Sequence, residues 1–227
     1  MTEAEWLTAM DPMPMLAFIR DKASARKLRL SAVWCCRTLH HLLVPAALEL
    51  ISVAERVAEG SAGSDERKRA RQAAFELPWL KDLSTAHRRG PAKSAVGEAL
   101  SRRAWEAAES TARISIGLRG IETGLARGWG WSSEEARDIH RTEVTEVLRD
   151  IFGNPFRPVP FSLEWRTDTA IALARQMYEA REFSAMPILA DALQDAGCDN
   201  PDILDHCRGA GPHVRGCWVV DRVLGKE

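Results

Sequence analysis

Three prolines fall within six residues of Asn154-Pro155-Phe156-Arg157-Pro158-Val159-Pro160. Proline has no backbone N–H, fixes its own φ and pushes the preceding residue out of the helical region. This segment therefore cannot be helix and must be extended or turned. The sequence on either side of it reads as helix, so the main organisational boundary is placed here. The expected layout is an N-terminal helical domain over 1–153, a proline-rich linker over 154–166 and a small C-terminal helical module over 167–227. That module is either an independent unit or one packed on the first domain; at its size it is near the lower limit for folding alone, which makes docking or a metal a natural support.

The helix signals are frequent. Thr2-x-x-Glu5 is a capping box, and Asp11-Pro12 reads as an N-cap followed by proline at the first helical position. Ser24 can cap a helix running through Leu43, with Pro45 breaking or restarting it. Residues 46–59 continue as helix up to the flexible Gly60–Ser64 connection, and a basic helix is expected from Asp65 towards Leu77. Pro78 and Gly90-Pro91 interrupt the pattern. Ala92 to Arg127 reads as one or two alanine-rich helices weakened by Gly97, Gly117, Gly120 and Gly124. Gly128-Trp129-Gly130-Trp131 reads as a loop. Ser132-x-x-Glu135 is a second capping box, opening an apolar stripe that ends at Gly153. Four short helices are expected beyond the prolines: Thr167–Ala180, Ser184–Ala196, Asn200–Cys207 and Pro212–Leu224. No alternating segment of strand length is present, and alanine and leucine are dense while β-branched residues are sparse. The expected fold class is all-α: a multi-helix bundle with an extended proline-rich linker and a small C-terminal helical unit.

Bulk features exclude several function classes. With 31 basic and 32 acidic residues, the net charge of -1 rules out a histone-like basic footprint. The longest apolar run, Leu42 to Leu48, contains Pro45 and falls far short of the ~20 residues of a membrane helix. The acidic N-terminus lacks the basic-then-apolar order of a secretory signal, so no membrane partner and a cytoplasmic location are expected. Five cysteines are an odd number, which argues against a disulfide framework and leaves buried thiols or metal ligands.

Both ends of the chain carry a resemblance. At the start it rests on Met1-Thr2-Glu3-Ala4-Glu5-Trp6-Leu7, Asp11-Pro12, Lys22-Ala23-Ser24, Arg26 to Leu30, Cys35-Cys36-Arg37 and His41-Leu42-Leu43. At the end it rests on Leu148 to Pro158, Pro187 to Leu193 and Gly211 to Asp221. These segments, about half the chain, resemble an uncharacterised family that planctomycete bacteria encode in many copies. The resemblance implies a bacterial cytoplasmic protein with a modular C-terminal segment, and it implies no chemistry.

The sharpest spacing is Cys198-x8-Cys207-x5-His213-x3-Cys217, three thiols and an imidazole within twenty residues. Such a set suits structural zinc. Its intervals equal those of CCCH zinc fingers, with Cys and His exchanged at the last two positions. His206 is an alternative ligand beside Cys207. Against this, unligated cysteine is among the most buried residue types, and Cys198 and Cys217 sit in apolar surroundings. Cys36 and His40 are i and i+4 on a helix and share a face, but they lie in an apolar stretch where a thiolate would be disfavoured.

The loop Arg208 to Gly216 is a candidate anion or partner site. Its small residues allow close approach, Pro212 can start a helix whose N–H groups attract anions, and Arg208, His213 and Arg215 add positive charge. The competing account pairs those arginines with the acids at Glu182, Asp191, Asp195, Asp199, Asp202 and Asp205. A basic run at Arg67, Lys68, Arg69 and Arg71 can follow nucleic-acid phosphates, though no aromatic residue is interleaved for stacking. His140 with Glu143 reads as an ordinary pair on an exposed helical face, and the tryptophans read as core anchors. There is no HExxH, GxSxG or GxGxxG, and no P-loop signature.

Three readings follow. The favoured one is a non-enzymatic helical interaction or scaffold module with a protein partner. The second is a zinc-stabilised regulator that binds nucleic acid. The third is an enzyme of a class without these signatures, working through Cys36 and His40 or through the His213–Arg215 loop.

Overall fold

The computed structural model describes residues 1–77 and 86–226, with side chains at 86–89 left out. The expected break at Pro78 lies outside the described residues. Among those residues the chain is all-α, with twelve α-helices, two short 3₁₀ turns and no strand. No described helix is long and apolar enough to cross a membrane.

The chain divides into two compact units. The first holds Met1 and Ala9–Thr145; the second holds Thr2–Thr8 and Glu146–Glu227. The division falls inside a helix, and the proline-rich segment lies wholly within the second unit.

In the first unit the helices are α2 (Pro12–Ile19), α3 (Ala25–Arg37), α4 (Pro45–Ala58), α5 (Ser64–Glu76), α6 (Ala86–Ala99), α7 (Ala104–Ala126) and the start of α8 (Glu134–Phe152). Asp11 and Ser24 cap α2 and α3 as their sequence positions predict, accepting from the amides of Met13 and Lys27. The helix from Ser24 stops at Arg37, short of Leu43. The Thr38 hydroxyl donates to the Cys35 carbonyl, a 3₁₀ turn occupies His40–Leu42, and Pro45 begins α4. Val44, the residue before proline, is extended, as the ring demands. Conversely, Pro91 does not interrupt α6. Gly90 has no Cβ to meet the proline ring, and its carbonyl accepts the Ser94 hydroxyl at 3.2 Å.

The core of this unit packs α7 against α3 and α6. Ala32, Ala92, Ala95, Ala99 and Ala107 allow close helix approach, and Val33, Leu39, Ile51, Val96 and Leu100 fill the space between. Two buried arginines finish it. Arg29 donates to the carbonyls of Ser101 and Arg102, and Arg67 donates to that of Leu100, all at 2.8 Å. They satisfy the carbonyls left open beyond the end of α6.

In the second unit the helices are α1 (Glu3–Thr8), the end of α8, α9 (Asp168–Ala180), α10 (Met186–Asp195), α11 (Pro201–Arg208) and α12 (Trp218–Leu224). The Thr2–Glu5 capping box forms in both directions. Trp6 is fully buried and donates to the Gly153 carbonyl at 3.1 Å, while Arg149 donates back to the Trp6 carbonyl. Asn154 and Arg157 reach Glu3 at 2.7 Å. The first helix of the chain is thus stitched to the proline-rich segment. Thr167 and Asn200 cap α9 and α11. Met177, Leu189, Leu193, Ile203, Val219, Val220 and Val223 make the core, with Cys198, Cys207 and Cys217 among them.

Candidate metal centre

The second unit gathers four donor groups from four places in the sequence. Asp150 lies on the last turn of α8, and His206 lies on α11. His213 lies on the loop that follows α11, and Cys217 is the residue that precedes α12. One ligand atom from each lies within 4.8 Å of all the others. His213 Nδ1 is 2.8 Å from Asp150 Oδ1. His206 Nε2 is 3.2 Å from the same oxygen and 3.2 Å from Cys217 Sγ.

The surroundings fix these groups. The Val214 amide donates to Asp150 Oδ2 at 2.9 Å, leaving Oδ1 to face the two histidines. The His206 ring lies edge-on to His213 at 4.9 Å and tilted over Trp218 at 5.2 Å. Trp218 itself rests on Gly153, where a Cβ would meet the indole at 3.3 Å and where φ is +65°. Gly216, at φ +96°, turns the chain so that Cys217 comes inward. Arg215 donates to the Tyr178 carbonyl at 2.7 Å and covers the Tyr178 ring. These bonds hold residues 212–216 out of helical conformation. The final helix therefore begins at Trp218, not at Pro212, and the anion-attracting helix start expected at Pro212 is absent.

Electrostatics separate the two acidic members. Burial by itself would raise the Asp150 carboxyl; hydrogen bonds and charge from His206 and His213 outweigh it and hold the carboxyl below its ordinary range. The Cys217 thiol is pushed well up by burial and by the Asp150 carboxylate. A pocket of about 260 Å³ opens beside the group, lined by Glu146, Arg149, Asp205 and the Asp150, His206 and His213 side chains among others. His213 Nε2 is buried without a hydrogen-bond partner.

Of the four ligands expected from spacing, His213 and Cys217 belong to this group, and Cys198 and Cys207 do not. Both are buried in the apolar core, and burial raises both thiols, that of Cys207 to about 12. His206, the alternative beside Cys207, is a member. Asp150 is the residue that spacing analysis overlooks. The signal was present: a lone acid among Val147, Leu148 and Ile151, at the helix end where the macrodipole disfavours it.

The other candidates are committed to internal bonds. Arg208 donates to Asp191 and Gln194, and Arg215 to Tyr178, so both cations of the proposed anion loop are engaged. Cys36 is fully buried and its thiol donates to the Ala95 carbonyl, while His40 bonds the Arg37 carbonyl on the exposed side. Burial pushes the Cys35 thiol up to about 12 and the Cys36 thiol well above its ordinary value. Within the basic run, Arg67 is buried against Leu100, Lys68 pairs with Asp65, and Arg71 lies over the Phe75 ring. Arg69 is exposed. His140 is buried, not exposed: its ring joins the Thr123 hydroxyl at 2.7 Å and Glu143 at 3.2 Å, and Glu143 also pairs with Arg119.

Two tryptophans depart from the core role expected of them. Trp129 and Trp131 are 46% and 61% exposed on the turn between α7 and α8. The turn is built tightly in the first unit. Gly124 carbonyl accepts from the amides of Trp129 and Gly130 at 2.7 and 3.2 Å. Gly128 and Gly130 have φ of +72° and +89°. A Cβ at Gly124 would collide with the Gly130 carbonyl oxygen. Arg127 lies 4.9 Å from the Trp129 ring centre. The cap of α8 is Ser133, one residue after the expected Ser132, and its hydroxyl accepts from the Ala136 amide.

No protein-family model, no curated protein and no solved structure matches this chain.

Proposed function

We propose that this chain is a non-catalytic helical interaction module that docks another protein through the turn carrying Trp129 and Trp131. The observation that carries the reading is the display of two exposed indoles and Arg127 on a turn locked by three glycines. Tryptophan and arginine dominate the energetic centres of protein interfaces. A turn already fixed in shape loses little freedom on docking. Five thiols unpaired and buried fit a reducing compartment, and the cytoplasm is the location we propose. The nucleic-acid reading has less support, because Arg67, Lys68 and Arg71 are engaged within the first unit.

The test is quantitative capture from a lysate of the source cells, comparing the wild-type chain with a Trp129→Ser/Trp131→Ser variant of unchanged helicity and melting temperature. A specific protein should be retained in near-equal amount by the wild type and fall at least about tenfold with the variant. Equal retention by both chains, or no retained protein, overturns the proposal.

A further inference from the structure

We propose that Asp150, His206, His213 and Cys217 bind one Zn²⁺ as a closed, four-coordinate structural site. The proposal is independent of the Trp129–Trp131 docking turn, which lies in the other unit.

The donor chemistry selects the ion. A thiolate and two imidazoles favour a borderline-soft metal and disfavour Mg²⁺ and Ca²⁺, which take oxygen. Four protein donors fill a tetrahedron and match the closed form of structural zinc sites. Zn–N and Zn–O bonds of ~2.1 Å at tetrahedral angles put neighbouring donors about 3.4 Å apart, and a Zn–S bond makes the N–S separation about 3.6 Å. The separations of 2.8 and 3.2 Å to Asp150 Oδ1 and 3.2 Å to Cys217 Sγ would open by about 0.2 to 0.6 Å, and all four donor atoms already lie within 4.8 Å of one another.

Charge balance points the same way. The Asp150 carboxylate and the Cys217 thiolate together carry two negative charges, which neutralise Zn²⁺ with two neutral imidazoles. No net charge is then buried. On binding, the Cys217 S–H bond breaks, its proton leaves to solvent, and the sulfur electron pair forms the Zn–S bond. Both imidazoles and the Cys217 thiol converge on the same carboxylate, the arrangement a shared ion would bridge.

The support around the ligands is of the kind metal sites use. The Val214 amide holds Asp150 Oδ2, so that Oδ1 alone is directed at the group. Trp218 and His213 restrain the His206 ring. The pocket lined by Glu146, Asp205 and His206 reaches Asp150 and His213 and provides an entry path. The ion would join the end of α8, the end of α11, the following loop and the start of α12 at one point. A small helical unit gains most from such a staple.

The full chain, purified without a metal-affinity step and stripped with a chelator, is titrated with Co²⁺ and then Zn²⁺, with Mg²⁺ as a control. One equivalent of Co²⁺ should give the visible bands of a tetrahedral ion and a near-ultraviolet thiolate-to-cobalt band, and one equivalent of Zn²⁺ should remove both. Cys217→Ser should abolish the thiolate band. Cys217→Ser and His206→Gln should each weaken Zn²⁺ at least about tenfold. Cys198→Ser and Cys207→Ser should change neither band nor stoichiometry. The wild-type spectrum stands whether or not the ligand variants fold. Absence of stoichiometric binding, a weak six-coordinate spectrum, or a thiolate band that survives Cys217→Ser and disappears with Cys198→Ser or Cys207→Ser would overturn the assignment.

Discussion

The two units solve the same problem in different ways. Each is a set of helices around an apolar core, and each buries charged side chains inside it. The first unit turns two of its buried charges on its own backbone, Arg29 and Arg67 donating to the carbonyls of residues 100–102, and holds Glu55 and His140 in separate side-chain pairs with Arg37 and Glu143. Each guanidinium there has nearby acceptors and could be replaced one at a time. The second unit points its buried polar groups at one another. Asp150, His206, His213 and Cys217 share partners, so no member is satisfied independently. Local polar accounts make a core that tolerates change. A converging polar account makes one that fails or holds as a whole.

The largest expected effect therefore belongs to the second unit. Asp150→Ala removes the acceptor of the Val214 amide and of both histidines at once. Breaking a buried, hydrogen-bonded charged group in this way typically costs about 3–5 kcal/mol. Denaturant unfolding of the chelated protein, followed by intrinsic tryptophan fluorescence, should show a loss of that size. A loss below about 1 kcal/mol would mean that the group is loosely held and the comparison between units is mistaken.

A smaller loss is expected from Arg29→Met in the first unit. Two charge-assisted hydrogen bonds disappear and two carbonyls lose their donor, each worth roughly 1.5–3 kcal/mol in isolation. Removing a buried guanidinium also lifts its desolvation penalty and its repulsion from Arg67, the two causes that lower the Arg29 pKa. The methionine retains much of the apolar stem. The net loss should be about 2 kcal/mol by the same denaturant method. If it equals that of Asp150→Ala, the contrast between separate and shared polar groups falls.

Much of the helical layout was legible because its signals are local. Asp11 and Ser24 act as caps where the sequence places them, Thr167 and Asn200 open helices as expected, and three prolines keep residues 155–160 out of helix. The errors arose where a distant residue decides. Pro212 has the chemistry of a helix start, yet Asp150 takes the Val214 amide and Tyr178 takes Arg215, and the helix begins six residues later. Pro91 has the chemistry of a helix break, yet Gly90 before it has no Cβ for the ring to meet and α6 runs through. The metal candidate was half legible. His206, His213 and Cys217 lie within twelve residues of one another, so spacing could find them. Asp150 stands far upstream, and only the folded chain brings it in. Cys198 and Cys207 had suitable spacing but are occupied in packing.

The smallest effect tests what a buried thiol does when its polar neighbours, Thr111 and Ser115, do not offset its burial. Cys35 in the first unit is buried, and desolvation lifts its thiol from the ordinary 9.0 to about 12. The folded state resists ionisation there, while the unfolded chain ionises freely above its ordinary value. The contribution of Cys35 to stability is thus fully present below pH 9, falls as pH rises, and is lost by the folded value of about 12. Between those limits each pH unit removes about 1.4 kcal/mol. Cys35→Ala carries no such titration. The stability difference between wild type and Cys35→Ala should be flat from pH 7 to 8.5 and then shift against the wild type, by about 1.4 kcal/mol near pH 10. A flat difference throughout would show that Cys35 reaches water in the folded state. The first unit would then be looser around α3 than its alanine-lined packing indicates, and the contrast with the second unit would need redrawing.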